Sequence, residues 1–203
     1  ANYPPQNPGR GWRVYQVGDV NVGVIDLLGQ SGFNRVHLSN PFTFLPELVS
    51  RVKQETPVVI VDFHATTTAE KYSMFYHADG TVTAVIGSHT KVLTSDEQIL
   101  DGGTGVICDT GRTGSFMSVG GLEPETEIKQ LLTQIPERSQ EYWKDLELQG
   151  VVLHVTEDGK TEHIERIRFP VEKNEAQPYN NGSHKNGSHS NGNSERLQHS
   201  NER

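Results

Sequence analysis

Residues 58–64, VVIVDFH, and residues 81–89, TVTAVIGSH, are two apolar runs that each end in a histidine. Runs of this length, rich in β-branched side chains, read as buried strands. Between them Thr67 and Glu70 stand three residues apart, the spacing of a helix capping box. A helix beginning there joins the strands by a right-handed crossover, which makes them parallel and brings their carboxyl ends to one sheet edge. Open α/β sheets gather their ligands at that edge. The stretch therefore predicts an α/β fold with His64 and His89 together on its functional rim.

The surrounding sequence extends the sheet. Residues 12–17 and 20–28 read as a β-hairpin turning at Gly18-Asp19, a turn dipeptide between β-prone runs. Residues 29–44 are loop-like. Residues 45–55 carry Leu45, Leu48, Val49 and Val52 on one helical stripe, followed at once by the strand at 57–63. Residues 104–109 (TGVICD) read as a third strand entering the glycine-rich turn 110–114 (TGRTG). A helix is expected over 123–134, and a closing hairpin over 151–156 and 163–169 around Glu157-Asp158-Gly159.

Composition narrows the function classes. The 203 residues suit one domain, expected over 1–172, followed at 173–203 by an Asn/Ser/Gly/His-rich tail too polar to offset the entropy of ordering. A formal net charge of −8 argues against tracking duplex nucleic acid, while a local cluster of cations still suits a small anion. The lone Cys108 excludes an internal disulfide framework and a multi-cysteine zinc site. No apolar run reaches the roughly 20 residues of a membrane-spanning helix. The expectation is a cytoplasmic protein that neither enters a membrane nor binds duplex nucleic acid, with homo-oligomerisation left open.

Three strand ends carry the candidate chemistry. His64 follows Asp62 in a D-x-H arrangement, and alternation puts residues 60, 62 and 64 on one face. A neutral imidazole ligates zinc, iron or manganese, and a nearby carboxylate commonly orients its ring. The other reading of His64 is a strand-end imidazole bonded to a loop carbonyl. His89 lies in Gly87-Ser88-His89-Thr90-Lys91, where the glycine lets the chain turn sharply. The loop from Asp109 to Gly114 frees backbone N–H groups around Arg112, which suits a phosphate oxygen as well as a plain turn bearing a solvated arginine.

Three strings in register, VDFHATTTAEK (61–71), AVIGSHTKVLTSDEQIL (84–100) and GGTGVICDTGRTGSFMSVGG (102–121), resemble the C-terminal two-thirds of the YmdB-like bacterial metallophosphoesterases. The opening NYPPQNPGRGW (2–12) is similar to that family's Asn-Tyr-Pro…Pro-Gly-Arg-Gly connection, so the resemblance runs from about residue 2 to 170. It implies the calcineurin-like α/β/β/α sandwich. It also implies hydrolysis of a small phosphodiester or nucleotide, such as a 2′,3′-cyclic nucleotide, by hydroxide activated on one or two divalent ions (Fe, Mn or Zn). His64 matches the family's isolated metal histidine, and His89 the first histidine of its GTHTH motif.

The departures are equally specific. The second histidine of that motif falls on Lys91, the glutamate after the isolated histidine falls on Thr66, and Arg112 stands where many members carry an apolar residue. The resemblance implies that the N-terminal third, with its Gly-Asp, Glu-Asn and Gly-Asn-His motifs and the catalytic histidine, is missing from this chain. No catalytic residue is therefore assigned within the chain, and an incomplete fragment is expected. An ammonium about 4 Å from a dication is repelled by several kcal/mol even at an effective dielectric near 20. Three outcomes follow: Lys91 turns away, binds metal as a neutral amine, or replaces one metal as the cation facing a phosphate; the third is the expectation, with Arg112 as a second substrate contact. The alternative is a relative that has lost catalysis and binds a nucleotide or a protein.

Overall fold

Strands β1 (Trp12–Val17) and β2 (Val20–Leu28) form the expected hairpin, with Gly18 at φ +60° in the turn. The structure, a computed structural model, describes residues 1–33, 36 and 38–171. The tail expected at 173–203 lies outside the described residues. Strand β3 (Val59–His64) pairs parallel with β2, and β4 (Ala84–Ser88) parallel with β3, as the crossover argument requires. A two-residue strand β5 (Gln98–Ile99) has no periodicity to reveal it in sequence; it pairs antiparallel with β6 (Gly105–Ile107), which lies parallel to β4. The sheet order is β1-β2-β3-β4-β6-β5.

The two faces of this sheet differ sharply. Ile25, Leu27, Val59, Val61, Phe63, Val85 and Val106 are completely buried in one cluster with helices α1 (Pro41–Val52) and α2 (Thr68–Ala78). Each such side chain contributes roughly 1.5–3 kcal/mol of burial free energy. The register aligns Asp26 with Asp62 and Leu28 with His64 and Ser88 on the opposite, more open face. There Asp26 and Asp62 are exposed and His64 and Ser88 half-buried. The candidate site occupies this face at the carboxyl edge.

Both helices depart from the sequence reading in informative ways. Helix α1 begins at Pro41, four residues before the apolar stripe, because Asn40 caps it by accepting from the Phe42 amide at 3.0 Å. Pro46 lies inside the helix and cannot donate to the Phe42 carbonyl. That carbonyl accepts instead from His77 Nε2 of α2 at 2.7 Å, which ties the two helices together. In α2 the Thr67 hydroxyl accepts from the Glu70 amide at 3.2 Å, one half of the expected box. The other half is redirected, since the Glu70 carboxylate accepts from the amides of Gln30 (2.6 Å) and Ser31 (3.1 Å) and anchors the loop after β2.

A second sheet is ordered β7 (Gly114–Ser115), β8 (Leu146–Val155) and β9 (Thr161–Pro170). The β8–β9 hairpin begins five residues earlier than its apolar pattern suggests. The extension holds Glu147, its side chain only 6 % exposed, against Arg168 at 2.7 and 2.9 Å. Strand β9 meets β5 and β6, with Thr161 donating to the carbonyls of Gly103 and Thr83. Helix α3 (Pro124–Thr133) buries none of its residues, leaving Leu131 and Leu132 exposed. Among the described residues no helix is long and apolar enough to cross a membrane.

The Glu147 pair sets a pH dependence. Hydrogen bonds from Arg168 hold the Glu147 carboxyl below the usual glutamate range. A carboxyl depressed by folding contributes its full stability above the unfolded-state pKa, near 4.3, and loses it as pH falls through the lower folded-state value. Urea midpoints measured across the acid range should therefore fall less steeply for Glu147→Gln than for the parent. Parallel acid limbs would exclude this contribution.

Candidate functional site

His64 and His89 meet at the sheet edge. His64 Nε2 and His89 Nδ1 face each other at 3.2 Å, and the ring centroids are 5.0 Å apart. Behind them Ser88 Oγ donates to Asp62 Oδ1 at 3.0 Å and lies 3.1 Å from His64 Nδ1. A continuous polar chain thus runs Asp62, Ser88, His64, His89. Among the described residues the His64 ring bonds no loop carbonyl. Phe33 packs against both imidazoles, with centroids 5.7 and 5.9 Å away, and gives the pair an apolar wall.

The electrostatics favour the neutral imidazole at His89. Burial lowers the pKa of His89, and His64 and Lys71 push it further down. Partial desolvation against the sheet raises the Asp62 carboxyl, and Asp26 in register on β2 adds to the rise, while the Ser88 hydroxyl opposes it. A carboxylate that reaches the His64 ring through one hydroxyl is the kind of outer partner that orients a metal-binding histidine.

The loop that presents His89 is strained and is held from beneath. His89 has φ 123° and Lys91 φ 59°, both in the region that favours glycine. The residue between them, Thr90, donates its amide and its hydroxyl to Asp109 Oδ2, each at 2.7 Å. Asp109 Oδ1 accepts from the Gly111 amide at 2.9 Å, so one carboxylate organises both strand-end loops. Its countercharge is Lys71 Nζ at 3.6 Å, and both side chains are 1 % exposed.

Sequence reasoning missed this ion pair. One signal was available: Lys71 occupies the buried stripe of α2 with Met74, Phe75 and Ala78, at positions i, i+3, i+4 and i+7. A lysine at such a position demands a partner. Cys108 beside Asp109 is buried, and its thiol is pushed up to about 12 by burial and by Asp96, so it stays protonated.

Lys91 and Arg112 line the same two cavities, whose linings include neither His64 nor His89. Lys91 Nζ reaches the Gly120 carbonyl at 3.5 Å. The Arg112 guanidinium donates to the Ser115 carbonyl and to Ser118 Oγ at 2.8 Å, while its amide donates to Gln149 Oε1 at 3.2 Å. Arg112 is therefore neither freely solvated nor paired with a carboxylate among the described residues. Thr66, at the position of the family glutamate, donates its hydroxyl to the Ser31 carbonyl at 2.7 Å.

The donor set fits part of a metal shell. Two nitrogens 3.2 Å apart suit neighbouring positions on one ion with bonds of ~2.0–2.1 Å. Among the described residues no group of three or more His, Cys, Asp or Glu converges, so these two imidazoles are not joined by a third donor of that kind.

Comparison with known proteins identifies the family. Residues 1–167 match the family model described as YmdB-like protein. The chain is 36 % identical over 168 residues to the 2′,3′-cyclic-nucleotide 2′-phosphodiesterase of Bacillus subtilis, covering 82 % of this chain and 63 % of that protein. It superposes on the crystal structure of a hypothetical protein from Thermus thermophilus with a TM-score of 0.75 and 31 % identity, covering 83 % of this chain and 65 % of that one. A novel phosphatase of Mycoplasma pneumoniae gives the same TM-score at 32 % identity, over 83 % and 62 % of the two chains. The chain thus spans less than two thirds of the length of these relatives. Its mixed α/β architecture is that of the metallophosphoesterase fold. The match across most of the chain, together with this fold, establishes that the chain belongs to the YmdB-like family.

Proposed function

We propose that this chain contributes metal ligands and a phosphate-binding wall to a phosphodiesterase acting on a small phosphodiester such as a 2′,3′-cyclic nucleotide. The observation that carries the reading is the facing of His64 Nε2 and His89 Nδ1 at the ends of two parallel strands, with Asp62 behind them through Ser88. The name of the Bacillus subtilis relative supports the choice of substrate class. His64 and His89 hold a divalent ion, Fe, Mn or Zn, through their facing nitrogens. Such an ion, when bound, polarises a phosphoryl oxygen and acidifies a water. Asp62 and Ser88 orient the His64 ring, Phe33 excludes water from one side of the pair, and Lys91 and Arg112 supply fixed positive charge for the phosphate.

A second reading, a relative that binds a nucleotide without turning it over, is favoured by the meeting of two imidazoles with no third His, Cys, Asp or Glu among the described residues. Elemental analysis and hydrolysis of 2′,3′-cyclic AMP with added Mn²⁺ or Fe²⁺ separate the two. The first reading expects no more than one ion per chain, lost in His64→Ala and His89→Ala, and product formation that depends on it. Two ions per parent chain, unchanged in Lys91→His, would refute the role given to Lys91. Saturable binding of the cyclic nucleotide without product would favour the second reading.

A further inference from the structure

Lys91 and Arg112 form the waist of a two-lobed cleft that extends beyond the imidazole pair. One lobe is a cavity of about 240 Å³ whose lining includes Phe116, Arg166 and Arg168. The other, of about 430 Å³, includes Tyr142 and Trp143. Both share Lys91, Arg112, Ser115 and Gly120. Together they reach the size range of small-ligand sites, roughly 300–1,000 Å³.

The lining is unusual for a chain of net charge −8. Four cations line the two lobes, and Glu141 in the larger one is the single carboxylate among the described lining residues. Arg166 and Arg168 are bonded to Glu97 and Glu147, whereas Lys91 and Arg112 have no carboxylate partner among the described residues. Aromatic rings stand at both ends, with Trp143 67 % and Phe116 47 % exposed. The Arg168 guanidinium lies 5.8 Å from the Phe116 ring centre, and Lys144 Nζ 5.6 Å from that of Tyr142. At the waist, the Ser115 hydroxyl is buried and has no hydrogen-bond partner among the described residues.

Cations alternating with accessible rings are the chemistry that holds single-stranded nucleic acid: phosphates meet the charges and bases stack on the rings. An inorganic anion leaves the rings unused, and an apolar peptide leaves Lys91 and Arg112 without a counterion. We propose that this cleft binds a linear dinucleotide, its internucleotide phosphate at Lys91 and Arg112, one base against Tyr142 and Trp143. A terminal phosphate lies in the lobe of Arg166 and Arg168, beside Phe116. For Lys91 and Arg112 this rests on the phosphoester reading above; for the remaining residues it stands on the cleft alone.

Isothermal titration of the full chain in EDTA tests the cleft without engaging metal chemistry. The probes are the 5′-phosphorylated dinucleotide pApA, its unphosphorylated form ApA, and pyrophosphate. The 5′-phosphorylated dinucleotide is expected to bind at least tenfold more tightly than either of the other two. Trp143→Ala and Arg166→Ala, both at exposed positions, should each weaken it at least fivefold with an unchanged circular-dichroism melt, and Arg166→Ala should also flatten the salt dependence. Pyrophosphate binding as tightly as pApA, parent-like binding in both variants, or no binding at all overturns the proposal. Turnover of 2′,3′-cyclic AMP without dinucleotide binding would remove the cleft and leave the phosphodiesterase reading standing; dinucleotide binding without metal or turnover would do the reverse.

Discussion

Replacing Asp109 with alanine is expected to destabilise the fold by about 3–5 kcal/mol, the cost of stripping a buried ammonium of its counterion. Lys71 is 1 % exposed at the side chain, so water cannot take the place of the carboxylate. The same substitution strands the Thr90 amide and hydroxyl and the Gly111 amide, which now donate to Asp109. Lys71→Met should cost less, about 1–3 kcal/mol, because the carboxylate left behind keeps those three donors and a methionine fills the α2 stripe. The asymmetry is the test. With a total stability of ~5–15 kcal/mol for a domain, Asp109→Ala should move the urea midpoint far more than Lys71→Met, and the double variant should show a coupling of about 0.5–3 kcal/mol. Equal losses from the two single substitutions would mean that the hydrogen bonds to Thr90 and Gly111 carry nothing.

The same residue marks where sequence reading stops. Local signals placed the two histidine strands, the Thr67 cap and the Gly18-Asp19 turn, because each rests on contacts within a few residues. The meeting of His64 with His89 was legible too, since the hand of a crossover fixes which strand ends share an edge. The Lys71–Asp109 pair joins α2 to the loop after β6; the helical stripe marks Lys71 as buried, but no local pattern names its partner. Nor does any local pattern foretell that Pro46 frees a carbonyl for His77, or that Glu70 turns from its own helix end to the amides of Gln30 and Ser31. The two-residue strands β5 and β7 are too short for alternation to appear. Lys91 was legible as a departure from the family motif, whereas its alignment with Arg112 along one cleft depends on loops that only the folded chain brings together.

Gly87→Ala is expected to damage stability and the histidine pair together. Its backbone needs no unusual φ; the constraint is space. A Cβ at residue 87 would lie 2.0 Å from the Cys108 carbonyl oxygen and 3.0 Å from that of Ile107, both backbone atoms that no rotamer change can remove. The β4–β6 pairing runs only from Ala84 to Ile86, so relief must come from spreading the strand ends just beyond it. Overpacking of this kind costs typically ~1–3 kcal/mol. Spreading also shifts Ser88 and His89, the two residues that follow, and breaks the 3.2 Å approach of His89 to His64. Val52→Ala is the control: it lies in the completely buried core on the helix-covered face and should cost about 2–5 kcal/mol through a cavity, leaving the edge intact. Metal retention by the folded protein, measured below both melting transitions, should therefore fall in Gly87→Ala and persist in Val52→Ala. Equal retention in the two variants would show that the close approach of β4 to β6 does not position His89.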